Sequence, residues 1–131
     1  MRTLLIALLL ALALPASARD AAIEGTISRQ IDAFRADDFA RAFTFASPGI
    51  QGIFGTPETF GSMVRNGYPM VWRPSELRYL DLIEQGGRMH QRVQITDAEG
   101  RVHLLDYEMI EVGGAWKING VTLLEAPGAG A

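Results

Sequence analysis

The sequence predicts an α+β domain in which three N-terminal helices pack on one face of a four-stranded antiparallel sheet. Helical spacing of apolar residues is confined to the first half of the chain, whereas strand-like runs between glycine-rich turns fill the second half. The strongest turn signal is Gly113-Gly114, which joins two runs rich in β-branched, aromatic and aliphatic residues within 102–124. Connections this short favour an antiparallel meander with the helices on one side.

The first eighteen residues resemble an export signal. Arg2 supplies a positive start, residues 3–14 are an apolar run, and Ala16-Ser17-Ala18 is a small-residue cleavage site. We therefore expect cleavage after Ala18 and a periplasmic location, with an uncleaved membrane anchor as the alternative. On this division residues 19–124 form one domain and residues 125–131 a flexible tail.

Composition narrows the function classes. Removing residues 1–18 takes away one basic side chain, Arg2, and no acid, so 11 basic and 15 acidic side chains remain in the mature chain. A mildly acidic chain is a poor candidate for binding nucleic acid or anionic membranes. The chain has no cysteine, so it has neither a disulfide nor a thiol nucleophile. No cofactor motif is present, and we predict no cofactor.

The first helix is predicted by an apolar stripe. Ile23, Ile27, Ile31 and Phe34 recur at spacings of four, four and three, and Asp20 is a plausible N-cap. The remaining positions are largely polar, so the helix is amphipathic and packs against another element.

The other two predicted helices are shorter. One follows Asp38, and another begins at Thr56, where a capping threonine precedes a proline and an acid. Residues 47–56 are punctuated by glycines without a clear period, which predicts a loop that buries Ile53 and Phe54.

Four strands are predicted after an extended segment. Residues 68–74 contain two prolines that disfavour helix. Residues 77–83 and 89–96 are strand-like, and the hairpin within 102–124 completes the sheet.

The hairpin strands show mixed alternation. Simple period-two alternation places Leu105 and Tyr107 on one face of the first strand, and Ile118 and Gly120 together on one face of the second. Neither face is cleanly polar. This pattern favours a curved sheet whose concave side is covered along part of its length, with two misassigned core positions as the alternative.

Six blocks carry a resemblance to a known family. They are residues 34–39, 45–48, 50–55, 67–74, 105–107 and 116–121. Together they resemble the family called domain of unknown function 4864, which is similar to the nuclear transport factor 2-like superfamily. The resemblance implies a cone in which helices pack into a strongly bent sheet around a pocket. It implies little about activity, because that cone hosts isomerases, hydrolases, dehydratases, ligand binders and dimerisation modules.

Asp106 is the one weak catalytic candidate. Isomerases of the resembled superfamily use a carboxylate base in an apolar cone, and Asp106 lies between Leu105 and Tyr107 in a predicted strand. The alternative is a structural acid paired with Arg92 or Arg78 on a neighbouring strand.

The candidate pocket residues are Tyr68, Trp72, Arg73, Asp106, Tyr107 and Asn119. Tyr68 and Tyr107 could donate to a ligand oxygen or serve only in packing. Arg73 could fix an anionic group at the mouth of a pocket beside Trp72, or both could pack across the end of the cone. Asn119 would place a polar group on a partly covered face.

No metal site is predicted. His90 and His103 lie on adjacent predicted strands, but they lack a third ligand and any HxxxH or HxH spacing. Solvent-facing strand positions are the simpler interpretation.

These observations favour a non-enzymatic exported domain that binds a small or apolar ligand, or a partner protein. The alternative is a small lyase or isomerase that uses Asp106 in acid/base catalysis. Homodimerisation through the outer sheet face is a third possibility. Both small-molecule hypotheses require a pocket, and both weaken if no pocket can hold a ligand of about 300 Å³.

Overall fold

The computed structural model describes residues 16–124, which form five helices followed by a four-stranded sheet. The helices are α1 (Ala16–Arg35), α2 (Phe39–Thr44), α3 (Pro48–Phe54), α4 (Pro57–Gly67) and α5 (Pro69–Trp72). The strands are β1 (Glu76–Gln85), β2 (Arg88–Thr96), β3 (Val102–Val112) and β4 (Ala115–Leu124). The strands are antiparallel in the order β1-β2-β3-β4. The predicted α+β class and meander are confirmed.

Two predicted segments fall largely outside this description. Residues 1–15 of the predicted signal and the predicted tail, residues 125–131, lie outside the described residues. The predicted cleavage site after Ala18 falls in the first turn of α1. None of the helices within residues 16–124 is long and apolar enough to span a membrane.

The core lies between the helices and the sheet face that they cover, here called the inner face. The predicted stripe of α1 packs there, together with alternate residues of β3. The members of these two stripes, all buried, are Ile23, Ile27, Ile31, Phe34, Leu105, Tyr107 and Met109. The predicted amphipathic helix and the predicted inner side of β3 therefore meet in one core.

The loop predicted for residues 47–56 is wrong, because most of that segment is helix α3. The Ser47 hydroxyl accepts a hydrogen bond from the Ile50 amide at 3.2 Å, and Pro48 occupies the first helical turn. This cap-and-proline start is the same signal that correctly predicted α4. Ile53 is 73% exposed rather than buried.

Three other local predictions are corrected. Phe54 is only partly buried, although it does pack against the core. The segment predicted as extended contains the helical turn α5. Pro69 is the first residue of α5, and a proline is tolerated there because the amide at that position has no partner within the helix. Asp20 is not an N-cap, because α1 already begins at Ala16.

A β-bulge explains the mixed alternation of the last hairpin. Tyr107 pairs with Val121, whereas Met109 pairs with Ile118, so the register shifts by one residue between them. Val121 therefore shares the inner face with Ile118, and the predicted grouping of Ile118 with Gly120 is wrong. A bulge also bends the strand and increases its twist.

The turn of this hairpin is confirmed. Gly113 and Gly114 have φ values of 59° and 81°, as a two-residue primed turn requires.

Candidate functional site

A cavity of about 210 Å³ lies between the helices and β4. Its wall is formed by Gln30, Phe34, Ile50, Phe54, Phe60, Met63, Val64, Tyr68, Val71, Ile118, Gly120 and Val121. None of these side chains carries a charge at neutral pH. The wall is apolar apart from the carboxamide of Gln30, the hydroxyl of Tyr68 and backbone groups.

An aromatic cluster centred on Phe60 builds the helical side of the cavity. The Phe60 ring lies 5.8 Å from that of Phe34, 5.4 Å from that of Phe43 and 5.7 Å from that of Phe54, between centroids. These separations are typical of favourable aromatic pairs. The cluster joins α1, α2, α3 and α4, and its Phe34, Phe54 and Phe60 rings line the cavity.

The cavity volume limits what can bind. It exceeds the roughly 150 Å³ of an apolar cavity known to accept benzene. It is smaller than the roughly 300 Å³ at the lower end of drug-sized sites, which weakens the small-molecule hypotheses for any ligand of that size. One ring with one or two substituents matches this size.

Gln30 is the most deeply buried polar side chain of the wall, at 3% exposure. Its Nε2 donates to the Ala42 carbonyl at 3.2 Å. That bond links α1 to α2. It leaves the carbonyl oxygen of the carboxamide, Oε1, as part of the cavity wall.

Of the six predicted pocket residues, only Tyr68 lines this cavity. Its hydroxyl donates to the Val121 carbonyl at 3.3 Å, so the ring closes the cavity between α4 and β4. The proton of Tyr68 is therefore already engaged by the protein.

Trp72 and Arg73 line a second, wider cleft of about 600 Å³. Both hold Asp37: the Trp72 indole donates at 2.9 Å, and Arg73 Nη2 donates to both carboxylate oxygens at 3.0 Å. These bonds lower the pKa of Asp37 and stabilise its positive φ of 53°. Arg73 also donates to the Phe34 carbonyl at 2.7 Å. The guanidinium predicted to bind an anion is thus engaged by the chain itself.

Asp106 lies on the sheet face away from the helices, here called the outer face, and not in the cavity. Strand alternation sends it there because its neighbours Leu105 and Tyr107 point inward. Its carboxylate contacts His90 Nδ1 at 3.1 Å. The predicted pocket position is wrong, and the partner is His90 rather than Arg92 or Arg78.

Tyr107 is fully buried on the inner face, but it is not part of the cavity wall. Its hydroxyl is the one fully buried side-chain polar atom of residues 16–124 that lacks a hydrogen-bond partner. Burial raises its pKa. Tyr107 therefore packs in the core, because the sheet and the helices enclose the whole side chain.

Asn119 is part of a series of hydrogen bonds that runs from the buried Ser47 to the exposed Arg88. It accepts from the Ser47 hydroxyl at 2.7 Å and donates to Glu108 at 2.6 Å, and Arg88 donates to the same carboxylate at 3.0 Å. Burial raises the pKa of Glu108, but the hydrogen bonds from Asn119 and Arg88 outweigh it and hold the pKa below its ordinary value. Asn119 therefore supports the fold rather than the cavity.

The two histidines do not meet. His90 contacts Asp106, whereas His103 Nε2 contacts Asp97 at 2.8 Å beside the second cleft. Both rings are partly buried. Within residues 16–124 no group of three histidine, aspartate or glutamate side chains is placed to hold a metal ion.

The sequence analysis missed Gln30, although a signal was present. Gln30 follows Ile27 by three residues and precedes Phe34 by four, so it occupies the apolar stripe of α1. A polar residue inside such a stripe indicates either a buried hydrogen bond or a site. In the structure Gln30 does both: it donates a hydrogen bond to the Ala42 carbonyl and lines the cavity.

Comparisons with known proteins give a family and a fold. The family described as Domain of unknown function (DUF4864) matches residues 16–131. No curated protein matches the chain.

Similar solved structures include RPA3114, a SEC-C motif containing protein from Rhodopseudomonas palustris. It is 18% identical with a TM-score of 0.56, and the match covers 85% of this chain and 88% of that one. Aln2 from a Streptomyces species is 16% identical with a TM-score of 0.52, over 84% of this chain and 92% of that one. An NTF-2 like protein of unknown function from Burkholderia xenovorans is 17% identical with a TM-score of 0.48, over 84% and 91%. The first two likenesses show a shared fold and transfer no activity.

Proposed function

Because this chain belongs to the family described as Domain of unknown function (DUF4864), which assigns no activity, we propose a function from the cavity: the domain binds one small, neutral, mainly apolar molecule. The observation that carries this proposal is the uncharged cavity of about 210 Å³ between the helices and β4. A preformed apolar cavity with few polar groups is the usual form of a small-molecule site.

The cavity wall favours binding over acid/base catalysis. Its members include no carboxylate, histidine, lysine or arginine, and its one titratable group, the Tyr68 phenol, donates its proton to the Val121 carbonyl. General acid/base catalysis needs a titratable group that is available within hydrogen-bond reach of the substrate. Asp106 contacts His90 on the outer face instead. Catalysis by Asp106, binding of a partner protein and homodimerisation stay predictions.

Calorimetric titration with toluene tests the proposal. Toluene has one ring and no charge, and we expect a dissociation constant on the order of 1 mM for so few atoms. Two variants fill the cavity from opposite walls, Met63→Trp on α4 and Val121→Phe on β4, and each should abolish binding. Leu123→Phe is the matched control, because Leu123 is on the same strand but outside the cavity wall.

Two results would contradict the proposal. One is a wild-type protein that takes up no toluene near its solubility limit. The other is equal binding by wild type and by both cavity-filling variants, provided that circular dichroism shows that they are folded.

We also propose that the protein is exported and cleaved after Ala18. The support is the positive start, the apolar run and the small-residue site of residues 1–18. Cleavage there would remove only the first three residues of α1. The core would keep all its α1 residues, because the first buried residue of this helix is Ile23. Mass spectrometry of the protein from an export-competent host should find a chain starting at Arg19. A full-length chain in the membrane fraction would contradict cleavage and favour the uncleaved anchor, and a full-length chain in the cytoplasm would contradict export.

A further inference from the structure

The carbonyl end of the Gln30 side chain is without a partner. Its Nε2 donates to the Ala42 carbonyl at 3.2 Å, and only the NH₂ end of a carboxamide can donate to a carbonyl. The amide orientation is therefore fixed by chemistry. No donor within residues 16–124 hydrogen-bonds Gln30 Oε1, and Gln30 belongs to the cavity wall.

The side chain that carries this acceptor is deeply enclosed. Gln30 is 3% exposed, and its neighbours across the cavity are apolar rings and aliphatic chains. Oε1 itself is not fully buried, since the Tyr107 hydroxyl is the one fully buried unpartnered side-chain polar atom of residues 16–124. A ligand that fills the cavity keeps water from this acceptor, so it must bring a donor to avoid the free-energy cost of leaving the acceptor unpaired. Tyr68, the other polar side chain of the wall, uses its proton on the Val121 carbonyl, so it does not supply that donor.

The required donor is neutral. A protonated amine buried here would have no carboxylate opposite it, because no charged side chain lines the cavity, and an unpaired buried charge is strongly unfavourable. A hydroxyl group satisfies both conditions, because it donates one hydrogen bond and carries no charge.

We propose that the ligand is a single-ring or similarly small alcohol or phenol whose hydroxyl donates to Gln30 Oε1 while its hydrocarbon part fills the cavity beside Phe60. This inference rests on the proposed function and adds the polar group of the ligand. Gln30 sets specificity, and the aromatic cluster supplies the apolar contact.

A matched pair of probes separates the hydrogen bond from the apolar contact. p-Cresol and 4-fluorotoluene have the same ring, the same methyl group and equal numbers of non-hydrogen atoms, but only p-cresol can donate. Calorimetric titrations of both probes are compared between wild type and Gln30→Met, which keeps the side-chain length and removes the amide.

In Gln30→Met the affinity for p-cresol should fall about tenfold, the worth of one buried hydrogen bond. The affinity for 4-fluorotoluene should stay within about twofold. Gln91→Met is the control, because Gln91 is equally buried at 2% exposure but donates to carbonyls of β1 and β2 outside the cavity. Its ratio of the two affinities should equal that of wild type.

A wild-type measurement covers the case in which Gln30→Met fails to fold. The side-chain amide resonances of Gln30 should shift more on saturation with p-cresol than with 4-fluorotoluene, since a bond to Oε1 changes the electron distribution of the whole amide. Equal shifts for the two probes would overturn the inference.

The outcomes distinguish the two proposals. If both probes bind wild type but Gln30→Met weakens them equally or not at all, the hydroxyl inference is wrong and the binding function stands. If neither probe binds wild type, the binding function fails and the inference falls with it.

Discussion

On the outer face of the sheet, Asp106 and Glu108 of β3 each contact a partner, whereas on the inner side Gln30 and Tyr107 keep oxygen atoms without a hydrogen-bond partner in the protein. Asp106 contacts His90, and Glu108 accepts from Arg88 and Asn119. On the inner side, the Tyr107 hydroxyl and the Gln30 carbonyl are surrounded mainly by apolar groups.

The contrast separates two kinds of polar group. Charged groups lie where partners from neighbouring strands and water are both within reach, so their pairing contributes little net stability. The inner polar groups are neutral. Of the two, the Tyr107 hydroxyl is fully buried without a partner, and the Gln30 carbonyl is left for a ligand that enters the cavity. The paired charged groups therefore mark the outer face of the sheet, whereas the cavity lies on the inner side.

The largest expected effect concerns the aromatic cluster. Phe60→Ala removes the ring that contacts three others, so it should lower the free energy of unfolding by about 3–5 kcal/mol. Chemical denaturation measures this. Ile53→Ala is the control, because Ile53 is largely exposed and its loss should change stability by less than about 0.5 kcal/mol. Similar losses for both variants would contradict the placement of the core.

A smaller effect concerns the contact of α4 with α2. A Cβ on Gly61 would lie 2.6 Å from ring atoms of Phe39, so Gly61→Ala should destabilise the protein by about 1–3 kcal/mol despite the better helix propensity of alanine. Gly67→Ala, at the end of the same helix, meets nothing within 4 Å. If thermal unfolding ranks the two variants the other way, α4 does not pack on Phe39 as described.

Tyr107→Phe tests the orphaned hydroxyl of the inner face. Because that hydroxyl is buried without a partner, its removal should leave stability unchanged or raise it by about 1 kcal/mol. Asn119→Ala is the comparison, since it breaks bonds to Ser47 and Glu108 and should lower stability by about 1–2 kcal/mol. A clear loss in Tyr107→Phe would mean that the hydroxyl has a partner.

The smallest effect is a pH dependence on the outer face. The folded-state pKa of Glu108 is held below its ordinary value of 4.5, so its contribution is present above that pH and disappears as the pH falls through the folded value. Glu108→Gln should therefore be less stable than wild type by about 0.5 kcal/mol at pH 7, with the difference vanishing in acid. A difference in urea midpoint that is unchanged at pH 3 would contradict this assignment.

Much of the fold followed from local patterns. The stripe of Ile23, Ile27 and Phe34 has helical period and is buried, and the Gly113-Gly114 turn has the positive φ angles that its sequence demands. The family, too, was recognised from short sequence blocks and is confirmed over residues 16–131.

What failed depended on register and on distant contacts. The bulge between Tyr107 and Met109 shifts β4 by one residue, and no residue of the sequence marks it plainly. Asp106 lies in the middle of a strand, and its sequence position does not tell which face of the sheet its side chain is on. The burial of Leu105 and Tyr107 on the inner face decides this. Gln30 was visible in the apolar stripe, but the cavity beside it is built by residues from four helices and β4, which no local pattern reports.

Nuclear Overhauser effects between bound toluene and methyl-labelled protein test most directly whether the cavity, and not the outer face, is the binding site. The cavity site predicts contacts from the toluene ring to the methyl groups of Met63, Val64 and Val121, which line it. Contacts confined to Leu104 and Ile110, which alternate with the inward residues of β3, would place the ligand on the outer face and contradict the account.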